Sequence, residues 1–150
     1  MMYPDRLLRG LSPHSIDAGI ILPDAFKLDP VRDDGFCEIS ITWYDEPQSL
    51  ETICSQRKDS GEIQFTEGIA EINRHELDER MHPHFISKYL DYERRPTPSN
   101  KYHGNLLVND NLAKQLKTMI KSQLALLANS SIHPNPYSSM LLVPNSSETR

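Results

Sequence analysis

The sequence has no long apolar run. No segment approaches the roughly 18 consecutive apolar residues of a membrane-spanning helix, and residues 1–15 contain no continuous apolar stretch of the kind found in secretion signals. Positive charge is not in excess either, because 16 Lys and Arg stand against 21 Asp and Glu, for a net charge of −5. This balance disfavours nucleic acid and anionic membrane surfaces as partners. The sequence therefore predicts a cytoplasmic protein without a membrane partner and with little affinity for nucleic acid.

Cysteine is scarce, since the chain contains two, Cys37 and Cys54, and neither belongs to a CxxC pair. Cys37 alternates with Ile39 and Ile41, as a buried strand residue does, and Cys54 follows Ile53. These surroundings predict two reduced thiols in the core rather than a disulfide.

Several motifs that bind cofactors or metals are also missing. The sequence contains no GxGxxG, GxxxxGK[ST], GxSxG or EF-hand pattern, so no cofactor is predicted. His82 and His84 are two residues apart, as two zinc ligands in an extended segment would be, with His75 or His103 as a possible third. The remaining ligands do not follow at a known spacing, so no metal site is predicted.

The patterns that are present predict an α+β fold. Residues 36–44, FCEISITWY, alternate apolar and polar side chains, which is typical of a strand with one buried face. An apolar stripe at helical spacing in residues 110–128 indicates an amphipathic helix, and shorter helices are expected near residues 50–54 and 74–81. We therefore predict a mostly antiparallel β-sheet packed by a C-terminal amphipathic helix and one or two short helices.

Proline and polar residues divide the chain into three predicted parts. Residues 1–16 are expected to form an irregular N-terminal arm, residues 17–129 a single α+β domain, and residues 130–150 a mobile polar tail. The tail contains an apolar island at residues 139–143, which is expected to dock either on the domain's own sheet or on a partner chain. Its predicted partner-binding residues are Met140, Leu141, Leu142 and Val143.

One polar cluster, in the segment from Arg94 to Gly104, is a candidate site. His103 is the predicted catalytic acid or base and Tyr102 the residue that positions the ligand. Arg94 and Arg95 are predicted to clamp an anionic, phosphate-bearing ligand, and Gly104 to let the backbone approach it.

The same cluster also has a purely structural interpretation. Glu93 would then pair with an arginine, Gly104 would be a bulge, Tyr102 would cover the edge of the sheet, and His103 would bond the turn at Asn100.

These observations favour a small accessory protein that docks on a larger protein partner. The alternatives are an enzyme that acts on a phosphate-bearing anion through His103, and a ligand sensor that uses the same cluster without chemistry. The sequence leaves the oligomeric state and the identity of the partner open.

Overall fold

The computed structural model describes residues 3–84 and 89–138. In chain order its strands and helices are β1 (Arg6–Leu11), β2 (Ile16–Asp17), β3 (Ile20–Ile21), β4 (Phe36–Trp43), α1 (Pro47–Cys54), β5 (Gly68–Asn73), α2 (Arg74–Met81), β6 (Leu90–Arg94), β7 (His103–Asn109), α3 (Lys114–Ala128) and β8 (Ile132–His133). Short 3-10 turns occupy Pro13–Ser15, Pro23–Phe26 and His82–His84. None of the helices in these two ranges is long and apolar enough to cross a membrane.

Six strands form one antiparallel sheet in the order β6-β7-β4-β1-β5-β8, and β2 and β3 form a separate hairpin. β4 pairs with β7 from Phe36 opposite Asn109 to Thr42 opposite His103. β7 pairs on its other side with β6, where Glu93 lies opposite Asn105. The predicted α+β fold with an antiparallel sheet is therefore confirmed.

The main core lies on one face of this sheet. The inward residues of β4, which are Ile39, Ile41 and Trp43, pack with α3 residues such as Ile120 and Leu124. α3 is held by this apolar contact, because its hydrophobic stripe is the side that the sheet covers. The predicted strand at residues 36–44 is present as β4, and the amphipathic helix predicted at residues 110–128 is present but begins later, at Lys114.

The opposite face of the sheet has two unlike halves. In the covered half, Leu8 of β1 and Ile69 of β5 lie beneath Ile53 and Cys54 of α1. Phe65 and other partly buried side chains pack at the margin of this cluster. In the charged half, formed by β4, β7 and β6, the outward side chains are mostly polar. They include Glu38, Ser40, Thr42, Asp91, Glu93, His103 and Asn105.

The N-terminal arm predicted for residues 1–16 is wrong. Arg6–Leu11 form β1, which lies inside the sheet between β4 and β5. Leu7 and Leu8 are adjacent and fully buried, because apolar layers cover both faces of the sheet at this strand. Adjacent apolar residues do not show the alternation of a half-exposed strand, so the pattern was not recognised as a strand.

The tail predicted for residues 130–150 begins too early. Ile132 and His133 pair with β5 as strand β8, and Asn135 is buried. Asn135 Nδ2 donates to the carbonyl oxygens of Cys54 and Phe65, at 2.9 Å each, so it joins three segments over the covered half. The apolar island, residues 139–143, with the predicted partner-binding residues Met140, Leu141, Leu142 and Val143, lies outside the described residues.

Candidate functional site

The structure separates the residues of the predicted anion clamp. Arg94 and Arg95 are consecutive, and consecutive side chains of an extended chain point to opposite faces. Arg94 makes a bidentate ion pair with Asp45, at 2.8 and 2.9 Å, and its guanidinium lies 5.9 Å from the centre of the Trp43 ring. Arg95 lies on the side of the charged half, 3.7 Å from Glu93. The two arginines therefore do not converge on one ligand position.

Gly104 has a packing role in the sheet, and its predicted ligand-binding role stays a prediction. It pairs in register with Ile41 and Arg94, so it is not a bulge. A Cβ at this position would lie 2.3 Å from the Trp43 Nε1 atom and 2.3 Å from the Glu93 carbonyl oxygen. The bare backbone of Gly104 lets the Trp43 indole cross β7 and donate to that carbonyl at 3.1 Å.

Tyr102 and His103 are held by the loop that precedes β7. Tyr102 is buried, its backbone N–H donates to Asn100 Oδ1 at 3.0 Å, and its hydroxyl has no hydrogen-bond partner in the described structure. His103 Nδ1 lies 2.9 Å from the Arg95 carbonyl oxygen, and its backbone N–H donates to the Asn100 carbonyl at 3.2 Å. The backbone contact of His103 with Asn100 matches the structural interpretation of the cluster, whereas the bulge expected at Gly104 is absent. The catalytic roles of His103 and Tyr102 stay predictions.

A different set of polar side chains converges on the charged half. We call Arg32, Asp33, Asp34, Glu38, Glu93, Arg95 and Asn105 the Arg32 patch. Arg32 Nη1 donates to Glu38 at 2.9 Å and to Glu93 at 2.6 Å, and Nη2 donates to Asp34 at 2.5 Å. The side chains of Arg32, Glu38 and Glu93 are 22%, 24% and 21% exposed, so solvent reaches the ion pairs but only from one side.

Asn105 donates hydrogen bonds to two carboxylates of the patch from the sheet beneath them. It lies on β7 between Glu38 of β4 and Glu93 of β6, and only 1% of it is exposed. Its Nδ2 donates to the same Glu38 and Glu93 oxygens that Arg32 binds, at 3.3 and 2.7 Å. Since strands hold all three residues, the carboxylates are fixed in place before any ligand arrives.

The electrostatics of the patch agree with this geometry. Partial burial opposes ionisation of Glu93, but hydrogen bonds from Asn105 and Arg32 and the nearby cations outweigh it and lower the pKa of Glu93. The hydrogen bond to Glu93 is the largest contribution that raises the pKa of Arg32. Both groups are therefore charged at neutral pH.

The Arg32 patch borders a shallow depression of about 470 Å³, lined by Arg32, Asp33, Asp34, Glu38 and Arg95. Four carboxylates and two guanidinium groups belong to the patch, so negative charge is in excess. Such a surface attracts a cationic group more readily than the predicted phosphate.

Sequence reasoning placed Glu93 in the candidate anion-binding cluster, or else paired it with an arginine, and gave Arg32, Asp34, Glu38 and Asn105 no role in a site. One signal was present, because Glu38 occupies a polar position in the alternating pattern of residues 36–43. Arg32, Glu93 and Asn105 lie 6, 55 and 67 residues from Glu38 in the sequence. Only the pairing of the strands brings these residues together.

The remaining acidic and histidine side chains are the candidate ligands of a metal site. Within residues 3–84 and 89–138, no three His, Cys, Asp or Glu side chains are close enough together to hold a metal ion. His75 instead lies 2.9 Å from Asp5, where both side chains are exposed. Cys37 and Cys54 are free and buried, as predicted, and burial raises the pKa of Cys54 to about 11, with the charge of Glu51 as a further cause.

The chain matches no protein-family model, no curated protein and no solved structure.

Proposed function

We propose that this protein is a small accessory protein that docks on a larger protein partner through the Arg32 patch. The observation that carries the proposal is the convergence of Glu38 and Glu93 on the same two donors, Arg32 Nη1 and Asn105 Nδ2. Two carboxylates held this close repel each other unless a positive group lies between them. The arrangement is therefore built around a cation.

The position of the patch also supports docking. The covered half of the same face lies beneath α1, whereas the charged half has partly exposed ion pairs in place of an apolar layer. Charged groups on a rigid sheet favour specific recognition and rapid association with a partner of opposite charge. The alternative, an enzyme or sensor for a phosphate-bearing ligand, has less support because Arg94 faces away from Arg95 and His103.

Site-specific photo-crosslinking in the source cell tests docking. A photoreactive amino acid replaces Asp33, which is exposed and lines the depression, and in a matched control it replaces exposed Glu79 on α2. We expect a discrete protein adduct from position 33 that Glu38→Gln with Glu93→Gln suppresses, and no such adduct from position 79. Absence of an adduct at 33, or the same adducts at both positions, would contradict docking through the patch.

The cytoplasmic location predicted from the sequence remains part of the proposal. Fluorescence microscopy of the tagged full-length chain in the source cell tests it, and a signal restricted to an organelle or to the cell surface would contradict it.

A further inference from the structure

The cation in the patch is supplied by a turn rather than by the sheet. Arg32 precedes β4, and its backbone is fixed separately from its side chain. The Arg32 N–H donates to the Phe36 carbonyl at 2.8 Å, and the Gly35 N–H donates to the Arg32 carbonyl at 3.0 Å. Because these bonds do not involve the guanidinium, the side chain can leave the carboxylates without opening the turn.

We propose that the Arg32 patch binds an arginine from a basic segment of the protein partner, and that Arg32 occupies this position in the free protein. The inference rests on the proposed function and adds the chemistry of the partner. The side chain of Arg32 acts as a replaceable internal ligand, which the partner's arginine displaces.

The geometry selects a guanidinium over an ammonium. Arginine has five N–H donors in a planar fork, whereas lysine is a compact point charge. In the patch, Glu38 and Glu93 accept from one terminal nitrogen of Arg32 while Asp34 accepts from the other. An ammonium has no second nitrogen at the position that faces Asp34. An arginine of the partner can reproduce all three contacts.

Charge complementarity indicates that the partner's arginine belongs to a basic segment. After an incoming arginine has replaced Arg32 at the carboxylates, the displaced guanidinium is free to move into solvent. The excess negative charge of the patch, to which exposed Asp33 contributes, then remains for further cationic side chains of the partner.

Competition with Arg32 lowers the affinity of the free protein for its partner. An internal ligand acts at a high effective concentration, because the chain holds it beside its site. Removing Arg32 should therefore strengthen the binding of an external arginine. The loss of one positive charge also strengthens the binding of any cationic peptide, so the preference for arginine over lysine is what reports the geometry of the site.

Binding of two fluorescent peptides to the full-length protein tests the inference. One peptide alternates glycine with four arginines and the other alternates glycine with four lysines, and fluorescence anisotropy at 150 mM salt gives both dissociation constants. We expect Arg32→Ala to bind the arginine peptide about tenfold more tightly than the wild type does, and about tenfold more tightly than it binds the lysine peptide, a difference of about 1.4 kcal/mol in each case.

Two pairs of substitutions in the Arg32→Ala protein locate the binding. Glu38→Gln with Glu93→Gln should abolish the preference for arginine. Glu76→Gln with Glu79→Gln removes the same charge from exposed positions on α2 and should leave the preference intact. Equal binding of the two peptides, or an equal loss in both charge-matched variants, would overturn the inference.

If Arg32→Ala does not fold, Arg32→Lys decides the question, because it keeps the positive charge and loses the fork. We expect it to bind the arginine peptide more tightly than the wild type does, and unchanged affinity would overturn the inference. A crosslinked adduct at position 33 together with equal binding of the two peptides would reject arginine recognition and leave docking intact. Loss of that adduct would reject docking itself.

Discussion

The covered and charged halves of one sheet face differ in what packs over the outward side chains of the strands. In the covered half, Leu8 and Ile69 are completely buried, and α1 and Phe65 shield them from water. In the charged half, Glu38 and Glu93 occupy the corresponding outward positions and are themselves about one-fifth to one-quarter exposed. The first half is stabilised by removing apolar surface from water, and the second by ion pairs that solvent can reach.

This difference separates stability from recognition. Burial of apolar residues is a strong and non-directional source of stability, whereas exposed ion pairs contribute little to stability but have a defined geometry. A surface that only had to be stable would be expected to resemble the covered half. The ordered carboxylates of the charged half therefore agree with a binding role, and substitutions in the two halves should have different consequences.

The largest effect on stability is expected at Gly104, where the backbone of β7 lies against the Trp43 side chain of the core. In Gly104→Ala the new Cβ would meet both a backbone oxygen of β6 and the buried Trp43 indole. Neither neighbour is free to move, so we expect a loss of about 3 kcal/mol in the free energy of unfolding, at the upper end for an overpacked site. Urea denaturation measures it.

A second variant tests the reason for that loss. In a Trp43→Phe background the clash with the indole Nε1 atom is removed, but the clash with the Glu93 carbonyl remains. Gly104→Ala should therefore still lower the stability clearly in this background. A loss well below about 1 kcal/mol in the wild-type background would show that β6 and β7 are less tightly packed than described.

The next largest effect on stability should be at Asn135, whose side chain links the segments that pack over the covered half. Asn135→Ala removes a donor from the carbonyl oxygens of Cys54 and Phe65, of which that of Phe65 keeps the Gly68 N–H at 3.5 Å, and it removes the acceptor for the Tyr137 N–H. Loss of partners for buried polar groups predicts a decrease of about 2 kcal/mol in the free energy of unfolding. Hydrogen exchange should quicken in α1 and β5 more than in β6 and β7, and uniform quickening would contradict a local fastening role.

How much of this architecture was predictable depended on whether one face of an element meets water. The alternation of residues 36–43 and the helical stripe of α3 were recognised because each element has a polar side. β1 was missed because Leu7 and Leu8 are buried on opposite faces. The apolar layer over the covered half thus removed the periodic signal from β1.

The candidate site was less predictable than the fold. Its main contacts join Arg32, Glu38, Glu93 and Asn105, which approach one another only through the register of β4, β7 and β6. The neighbouring residues Arg94 and Arg95 were grouped because they are adjacent in sequence. A strand places adjacent side chains on opposite faces, so this grouping overlooked the period of two that had identified β4.

A smaller effect is expected at Gly10, the counterpart of Gly104 in the covered half. A Cβ there would lie 2.2 Å from the Phe65 ring, but no backbone atom is among its closest neighbours. Since Phe65 is half-buried and lies outside the regular strands, its side chain can yield, and we expect Gly10→Ala to lower the stability by about 1 kcal/mol.

A double-mutant cycle with Phe65→Ala checks this explanation. Removing the ring should make Gly10→Ala nearly neutral, so the two substitutions should be strongly non-additive. If the decrease persists without the ring, strain in the backbone of β1 rather than contact with Phe65 would be responsible.

The smallest effect should come from Glu93→Gln in the charged half, and it should depend on pH. The pKa of Glu93 is lower in the folded chain than its ordinary value, so its carboxylate stabilises the fold above about pH 4.3, the value expected for an unfolded glutamate. This contribution is lost as the pH falls through the lowered pKa.

Because the ion pair is partly exposed, we expect Glu93→Gln to lower the free energy of unfolding at pH 7 by less than about 1 kcal/mol. The difference from wild type should shrink below about pH 4, whereas exposed Glu76→Gln should show little difference at either pH. A difference that stays constant from pH 7 to pH 3 would mean that Glu93 acts through packing rather than charge. The charged half would then be stabilised in the same way as the covered half, and the contrast between them would no longer support a separate binding role.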